Sequence, residues 1–105
     1  MSKFIPLSAT RSLKKMGENI AVARKRRGLR VADVAKYTRL SEATVSRMER
    51  GDAGVSMGAF FSVMHILGEL QRVMSIMDAD NDKIGLIMSE NSLPKRVRKK
   101  NERTD

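Results

Sequence analysis

The side chains best placed to do chemistry lie on the polar face of a short helix in the middle of the chain. Two short helices joined by a tight turn are predicted between Gly28 and Gly51, where the chain reads GLRVADVAKYTRLSEATVSRMERG. The outward face of the second helix consists of Glu42, Ala43, Ser46 and Arg47. In a chain whose formal net charge is +9, this spacing is typical of a protein that lays a helix in the major groove of DNA.

Apolar residues of the two predicted helices point this polar face outward. Val31, Val34 and Ala35 in the first helix and Val45 and Met48 in the second place one apolar face on each helix and turn those faces toward each other, with Leu40 in the turn between them. Ser41 stands where an N-cap is needed, because its hydroxyl can accept a hydrogen bond from a first-turn backbone N–H. Gly51 suits the positive φ that often ends a helix. The sequence therefore predicts a second helix from Glu42 to Arg50.

The chain resembles the Cro and phage-repressor helix-turn-helix family, often called Xre-like, over about residues 13 to 70. The resemblance is carried by Gly28, Leu29, Val34, Ala35, Leu40, Ser41, Thr44, Val45, Ser46, Glu49, Arg50 and Gly51. It implies an all-α fold class, a bundle of four to five helices. In the turn this chain has Arg39 where the family usually has glycine. Either the turn is built differently, or Arg39 is tolerated for its charge beside DNA at a cost of about 1 kcal/mol.

The resemblance also implies roles for individual side chains. Arg47 takes a base-facing position from which it can bond O6 and N7 of guanine, while Glu42 can accept from a cytosine amino group and Ala43 can touch a thymine methyl. Ser46 completes the base-facing set. Phosphate contacts are expected from Arg30, Val31, Arg39, Ser41, Thr44 and Arg50. A structural ion pair is expected between Arg24 and Glu49.

Basic residues are concentrated before and within this region. The segment from Arg11 to Arg30 holds eight basic residues against one acid, Glu18. A charge run of this kind is ordinarily a solvated helix face. Beside a helix-turn-helix, however, contact with DNA phosphates is favoured, because neutralising the backbone supplies most non-specific affinity.

Two further helices are predicted on either side of the motif. The first runs from about Ser8 or Ser12 to Arg27, with Leu13, Met16, Ile20 and Ala23 facing the core. The other spans Met57 to Leu67, is capped by Ser56, and turns inward Phe60, Val63, Met64 and Leu67. His65 is the only histidine, and we expect no chemical role for it. The predicted division is an N-terminal arm at 1–11, a DNA-binding domain at 12–70, a dimerisation strand at 71–79 and a basic tail at 80–105.

The segment after Gly68 favours a strand. Residues Arg72 to Asp78 are rich in methionine and β-branched side chains and precede the turn-prone Asp80 to Asp82. A single strand must pair with something, and the same strand of a second copy is the expected partner. The dimer strand would comprise Val73, Met74, Ser75, Ile76 and Met77. The alternative is that residues 69–78 extend the fourth helix or form a fifth.

This strand, together with the paired Phe60 and Phe61, is similar to the HipB antitoxin family. That resemblance implies a homodimer bound to an inverted-repeat operator on double-stranded DNA. It also implies a partner, a HipA-like serine/threonine kinase toxin, whose operon the dimer would repress. Two alternatives stay open: a stand-alone Xre-family repressor without a toxin, and a kinase inhibitor for which DNA binding is secondary.

Two short stretches follow the predicted strand. Residues 84–88 form an apolar run suited to docking a partner protein. Residues 95–105 carry six basic and two acidic side chains without apolar periodicity, so we expect no ordered structure in the free protein. This tail is either a solubilising end or a basic arm for DNA or an acidic partner.

Composition argues against several other classes of protein. The chain lacks cysteine, a glycine-rich phosphate loop and any carboxylate pair singled out by spacing, so we expect no catalytic residues, cofactor or metal site. It has no apolar run approaching the ~18 residues of a membrane span and no signal-peptide core. We expect a bacterial cytoplasmic protein, associated with the nucleoid when bound to DNA.

Overall fold

A computed structural model describes residues 4–92, and every regular element in that range is helical. The elements are α1 (Leu7–Arg26), α2 (Val31–Thr38), α3 (Glu42–Glu49), α4 (Met57–Leu67), α5 (Leu70–Ile76), a 3-10 turn (Ala79–Asn81) and α6 (Lys83–Ser92). The predicted all-α class is confirmed for this range. The described residues divide into two compact units, of which the first ends at Val73 and the second begins at Met74.

The core of the first unit is formed by the inward faces of α1 to α4. Its buried side chains are Ile20, Val34, Ala35, Val45, Met48, Ala59, Val63, Met64 and Leu67. α3 packs against both α1 and α2, and α2 also packs against α4. Met16, predicted to face inward, is instead largely exposed. Because Val45 and Met48 are among the buried residues, α3 has one face fixed against the core.

Gly17 lets α1 approach the end of α3 very closely. A Cβ placed on Gly17 would lie 2.5 Å from the carbonyl oxygen of Glu49 and 2.7 Å from that of Met48. No side chain fits in that space, because the neighbouring atoms belong to the backbone. Gly17, in the middle of α1, therefore sets the distance between α1 and α3.

Arg27 joins the ends of α1 and α4. Its Nε donates to the carbonyl oxygen of Leu67 at 3.0 Å, and its Nη1 donates to that of Ala23 at 2.8 Å. The last carbonyl groups of a helix have no intrahelical N–H donors, and Arg27 supplies a donor to the last carbonyl of α4. This arginine, counted in the basic run, is thus partly engaged by the protein itself.

The predicted dimerisation strand at 71–79 is wrong. Val73, Met74, Ser75 and Ile76 lie in helix α5, and Met77 follows it. Leu70 and Val73, three residues apart, both pack against the core, which a helix permits and the alternating faces of a strand do not. The leucine, glutamine, arginine and methionine in this segment also favour a helix. The alternative of a fifth helix, weighed from the sequence, fits what is observed.

Three side chains organise the described part of the second unit. Asn81 donates through Nδ2 to the carbonyl oxygen of Ser75 at 3.0 Å. Asp78 caps the 3-10 turn by accepting from the backbone N–H of Asp80. Asp82 accepts from the backbone N–H of Gly85 at 2.9 Å and so caps the start of α6. The predicted basic arm at 95–105 lies outside the described residues.

Candidate nucleic-acid interface

α3 presents a polar outer face. Positions 42, 43, 46 and 47 share one side of the helix by their spacing, while Val45 and Met48 are buried on the other. Glu42 and Ala43 are exposed, and Ser46 and Arg47 are half-buried. The structure therefore brings the four residues predicted to face bases onto one accessible surface.

The turn between α2 and α3 keeps a left-handed residue without glycine. Arg39 has φ 62° and ψ 25°, and the following Leu40 N–H donates to the carbonyl oxygen of Ala35 at 3.1 Å. The turn is therefore not built differently: Arg39 adopts the left-handed conformation that glycine usually takes at this position. The Arg39 side chain is exposed beside the start of α3.

The predicted phosphate contacts Ser41 and Thr44 bond to each other. The Ser41 hydroxyl accepts from the backbone N–H of Thr44 at 3.0 Å, which is the predicted N-cap of α3. It also donates to the Thr44 hydroxyl at 2.9 Å. Both side chains thus define where the helix starts, and Thr44 is partly buried.

Arg24 and Glu49 form a two-point ion pair between α1 and α3. The Arg24 Nε lies 2.6 Å from Oε2 of Glu49, and Nη2 lies 3.0 Å from Oε1. The Arg24 Nη1 also donates to the carbonyl oxygen of Leu29 at 3.0 Å. The hydrogen bonds to Glu49 raise the pKa of Arg24, which keeps the guanidinium charged. It joins the first helix, the loop before α2 and the end of α3.

Arg30 is held at the start of α2. Its Nη2 and Nε donate to the two carboxylate oxygens of Asp33 at 2.8 and 3.1 Å, and its backbone N–H donates to the same carboxylate at 2.8 Å. These bonds lower the pKa of Asp33 to about 2. Arg30 remains exposed, whereas the predicted phosphate contact Val31 packs its side chain against the core.

Arg47 is held at the far end of the outer face. Its Nε donates to Oδ2 of Asp52 at 3.1 Å, and Oδ1 of Asp52 accepts from the backbone N–H of Gly54 at 2.7 Å. The Gly54 bond first and Arg47 second lower the pKa of Asp52, so its carboxylate is ionised at neutral pH. Arg50 follows at the C-cap of α3 with an exposed side chain.

A family model described as a helix-turn-helix domain matches residues 15–73, more than half of the chain. The chain belongs to the helix-turn-helix domain family. Such domains bind DNA with the second helix of the motif, which in this chain is α3. The chain matches no curated protein and no solved structure.

The described residues of this helix-turn-helix protein include neither a membrane-spanning helix nor a cluster of metal ligands. No helix among residues 4–92 is long and apolar enough to cross a membrane. In the same range, no group of three histidine or acidic side chains is arranged to hold a metal ion.

Two residues near this interface were missed from the sequence. Asp52 carries a usable signal, since aspartate two residues before glycine favours a turn closed by its carboxylate. Gly17 carries another, because glycine inside an otherwise helical pattern indicates close packing of a neighbour. Neither signal identifies the contacting group, which is Arg47 for Asp52 and the end of α3 for Gly17.

The left-handed Arg39 leads to a prediction about the turn. We expect Arg39→Gly to raise the free energy of unfolding by about 1 kcal/mol, because glycine adopts this φ without steric cost. The same change should weaken DNA binding and reduce the salt slope by about one unit if Arg39 contacts a phosphate. Urea unfolding and DNA titrations at several salt concentrations measure the two effects.

Arg39→Lys is the matched control for this variant. It keeps the charge and the strained φ, so both the stability and the salt slope should stay close to those of the parent protein. A glycine variant that is no more stable than the lysine variant would contradict the strain at this position.

Proposed function

We propose that the protein is a sequence-specific DNA-binding transcriptional regulator that represses by occupying its operator. The observation that carries the proposal is the outer face of α3, which is polar, accessible and fixed by a buried opposite face. Arg39 and Arg50 stand at the two ends of the helix, where cations suit the phosphates on either side of a major groove. Glu42, Ala43, Ser46 and Arg47 would contact the bases between them.

Selection from a random DNA library tests this function directly. The full-length protein should enrich one motif, arranged as an inverted repeat whose half-site centres lie about 34 Å apart or a multiple of a helical turn. Binding to the enriched site should exceed binding to random DNA by about a thousandfold or more at physiological salt. Enrichment of no motif would refute sequence-specific binding.

A homodimer forms part of this proposal. The second unit exposes many apolar side chains: Met74, Ile76, Met77, Ile84, Leu86, Ile87 and Met88. Exposed apolar side chains in this number are typical of an interaction surface, and a stable interface covers roughly 800 Å² per partner. On α6, Ile84, Ile87 and Met88 share one helix face. We infer that a second copy covers this surface through paired helices, in place of the strand predicted from sequence.

Charge placed on that face should separate the two copies. We expect Ile87→Glu to convert the dimer to a monomer in light scattering and to reduce affinity for a two-half-site operator at least tenfold, because a buried unpaired carboxylate opposes association. Ser89→Glu adds the same charge to α6 away from the face defined by Ile84, Ile87 and Met88, and should remain dimeric. A parent protein that is monomeric at micromolar concentration would refute this interface.

The stand-alone repressor is the form of the function that we propose. The similarity to the HipB antitoxins depended on a dimer strand and on the paired phenylalanines. The segment of that strand is helical, and Phe60 and Phe61 pack edge to face with ring centroids 5.9 Å apart. Phe60 also packs against the buried core of the first unit.

Co-purification distinguishes the stand-alone repressor from an antitoxin. The tagged protein expressed with its native neighbouring genes should be recovered without a stoichiometric kinase. Recovery of a HipA-like kinase, identified by mass spectrometry, would instead establish an antitoxin that regulates its own operon. In either case we infer a bacterial protein that acts in the cytoplasm.

A further inference from the structure

Asp52 holds one edge of the Arg47 guanidinium. The Arg47 Nε donates to Oδ2 of Asp52, whereas Oδ1 of Asp52 is occupied by the Gly54 N–H. The carboxylate is thus fixed to the backbone at one oxygen and to the arginine at the other. The two side chains are each about two-fifths exposed, at 39% and 41%, so the pair lies at the protein surface beside α3.

We propose that Asp52 is a specificity-determining residue, which positions Arg47 so that its terminal nitrogens read a guanine. The inference rests on the proposed function and concerns how the same surface discriminates between sequences. The bond to Asp52 uses Nε and leaves the terminal nitrogens, the pair that can donate to O6 and N7 of guanine.

The geometry favours discrimination in two ways. An arginine held by Nε loses less side-chain entropy when it binds its base, so the affinity for the specific site is higher. An arginine released from Asp52 can swing to any nearby phosphate, a contact that carries no sequence information. The negative charge of Asp52 also repels phosphates and therefore weakens binding to every sequence alike. Asp52 thus lowers general affinity while it raises the ratio of specific to non-specific affinity.

The substitution Asp52→Asn tests this assignment. Asparagine has the same size but a single acceptor oxygen and no charge, so it cannot bond Gly54 N–H and Arg47 Nε as two carboxylate oxygens do. We expect affinity for random DNA to rise by about two- to fivefold. We expect the ratio of affinities for the selected operator and random DNA to fall by about tenfold.

Glu18→Gln is the matched control, since it removes one exposed negative charge from α1 without touching Arg47. It should change affinity for the operator and for random DNA by the same factor. A parallel change in Asp52→Asn, with an unaltered ratio, would overturn the inference. Thermal unfolding of each variant identifies any effect of altered stability on binding.

Combining the change with Arg47→Ala isolates the pair. Arg47→Ala alone should lower the specificity ratio about tenfold or more. Adding Asp52→Asn to that variant should lower it no further, because the proposed effect of Asp52 acts only through Arg47. If Asp52→Asn lowered the specificity ratio of the Arg47→Ala variant as much as that of the parent protein, Asp52 would act through a residue other than Arg47.

A measurement without DNA separates this inference from the proposed function. In the free protein, the Arg47 Nε–H resonance should exchange slowly with water, and Asp52→Asn should accelerate that exchange several-fold. A parent protein that selects a DNA motif while Asp52→Asn leaves the ratio unchanged overturns the inference alone, whatever happens to the exchange rate. A parent protein that selects no motif overturns the proposed function and, with it, the role of Asp52 in specificity.

Discussion

Replacing Gly17 by alanine is expected to lower the free energy of unfolding by about 3 kcal/mol. The added methyl would lie 2.5 Å from the carbonyl oxygen of Glu49 and 2.8 Å from its carbonyl carbon. Those atoms belong to the last turn of α3, so α1 and α3 must move apart to accept the methyl. The movement would also stretch the ion pair between Arg24 and Glu49, which joins the same two helices.

Gly58→Ala is the matched control for Gly17→Ala. Gly58 also lies in a helix, but a Cβ added there would approach only the Ser56 hydroxyl, at 3.8 Å. Alanine should therefore stabilise α4 by about 0.5 to 1 kcal/mol through its better helix propensity. Urea unfolding followed by circular dichroism compares the two variants. Equal midpoints would show that α1 and α3 tolerate a wider separation.

Local signals in the sequence were enough to predict the helices around the interface. Ser41 and Ser56 both cap helices by accepting from a backbone N–H three residues on, as their positions before apolar periodic segments indicate. The helix over Met57 to Leu67 has the predicted bounds, and α3 ends one residue before the predicted Arg50. Caps and periodicity are properties of neighbouring residues, so a single sequence contains them.

The errors occur where packing decides the structure. The segment after Gly68 contains β-branched residues that suit a strand, but Leu70 and Val73 can both pack against the core only as a helix. Met16 fits a helical stripe and is nevertheless 42% exposed, because the neighbouring elements leave that part of α1 uncovered. These outcomes depend on contacts between distant parts of the chain.

For the candidate interface, the sequence predicts which residues share the outer face of α3 but not what holds their side chains. Spacing identifies the outer face of α3, whereas it does not reveal that Arg30 and Arg47 are held by Asp33 and Asp52. Partners of this kind depend on rotamers and on the course of the loop after α3. A charge count therefore overstates the number of arginines that are free of other contacts when the protein meets DNA.

Removing one member of the Arg24 and Glu49 pair is expected to cost nearly as much stability as the glycine substitution. The two side chains are only 11% and 12% exposed, and they meet through two hydrogen bonds of 2.6 and 3.0 Å. Glu49→Met would leave the Arg24 charge largely buried beside apolar surface. We expect a loss of about 3 kcal/mol in the free energy of unfolding, because an isolated buried charge is strongly unfavourable.

Replacing both members should cost less than the sum of the two single changes. In Arg24→Met with Glu49→Met no charge is left buried, and the methionines can fill the space between α1 and α3. Arg72→Met is the matched control, because Arg72 is 84% exposed in its pair with Glu69 and should change stability by less than about 0.5 kcal/mol. Denaturant unfolding of the parent protein, Arg24→Met, Glu49→Met and the double variant gives the coupling energy. Additive losses would mean that Arg24 and Glu49 contribute independently to stability. The close contact between α1 and α3 at Gly17 would then be what maintains the orientation of α3.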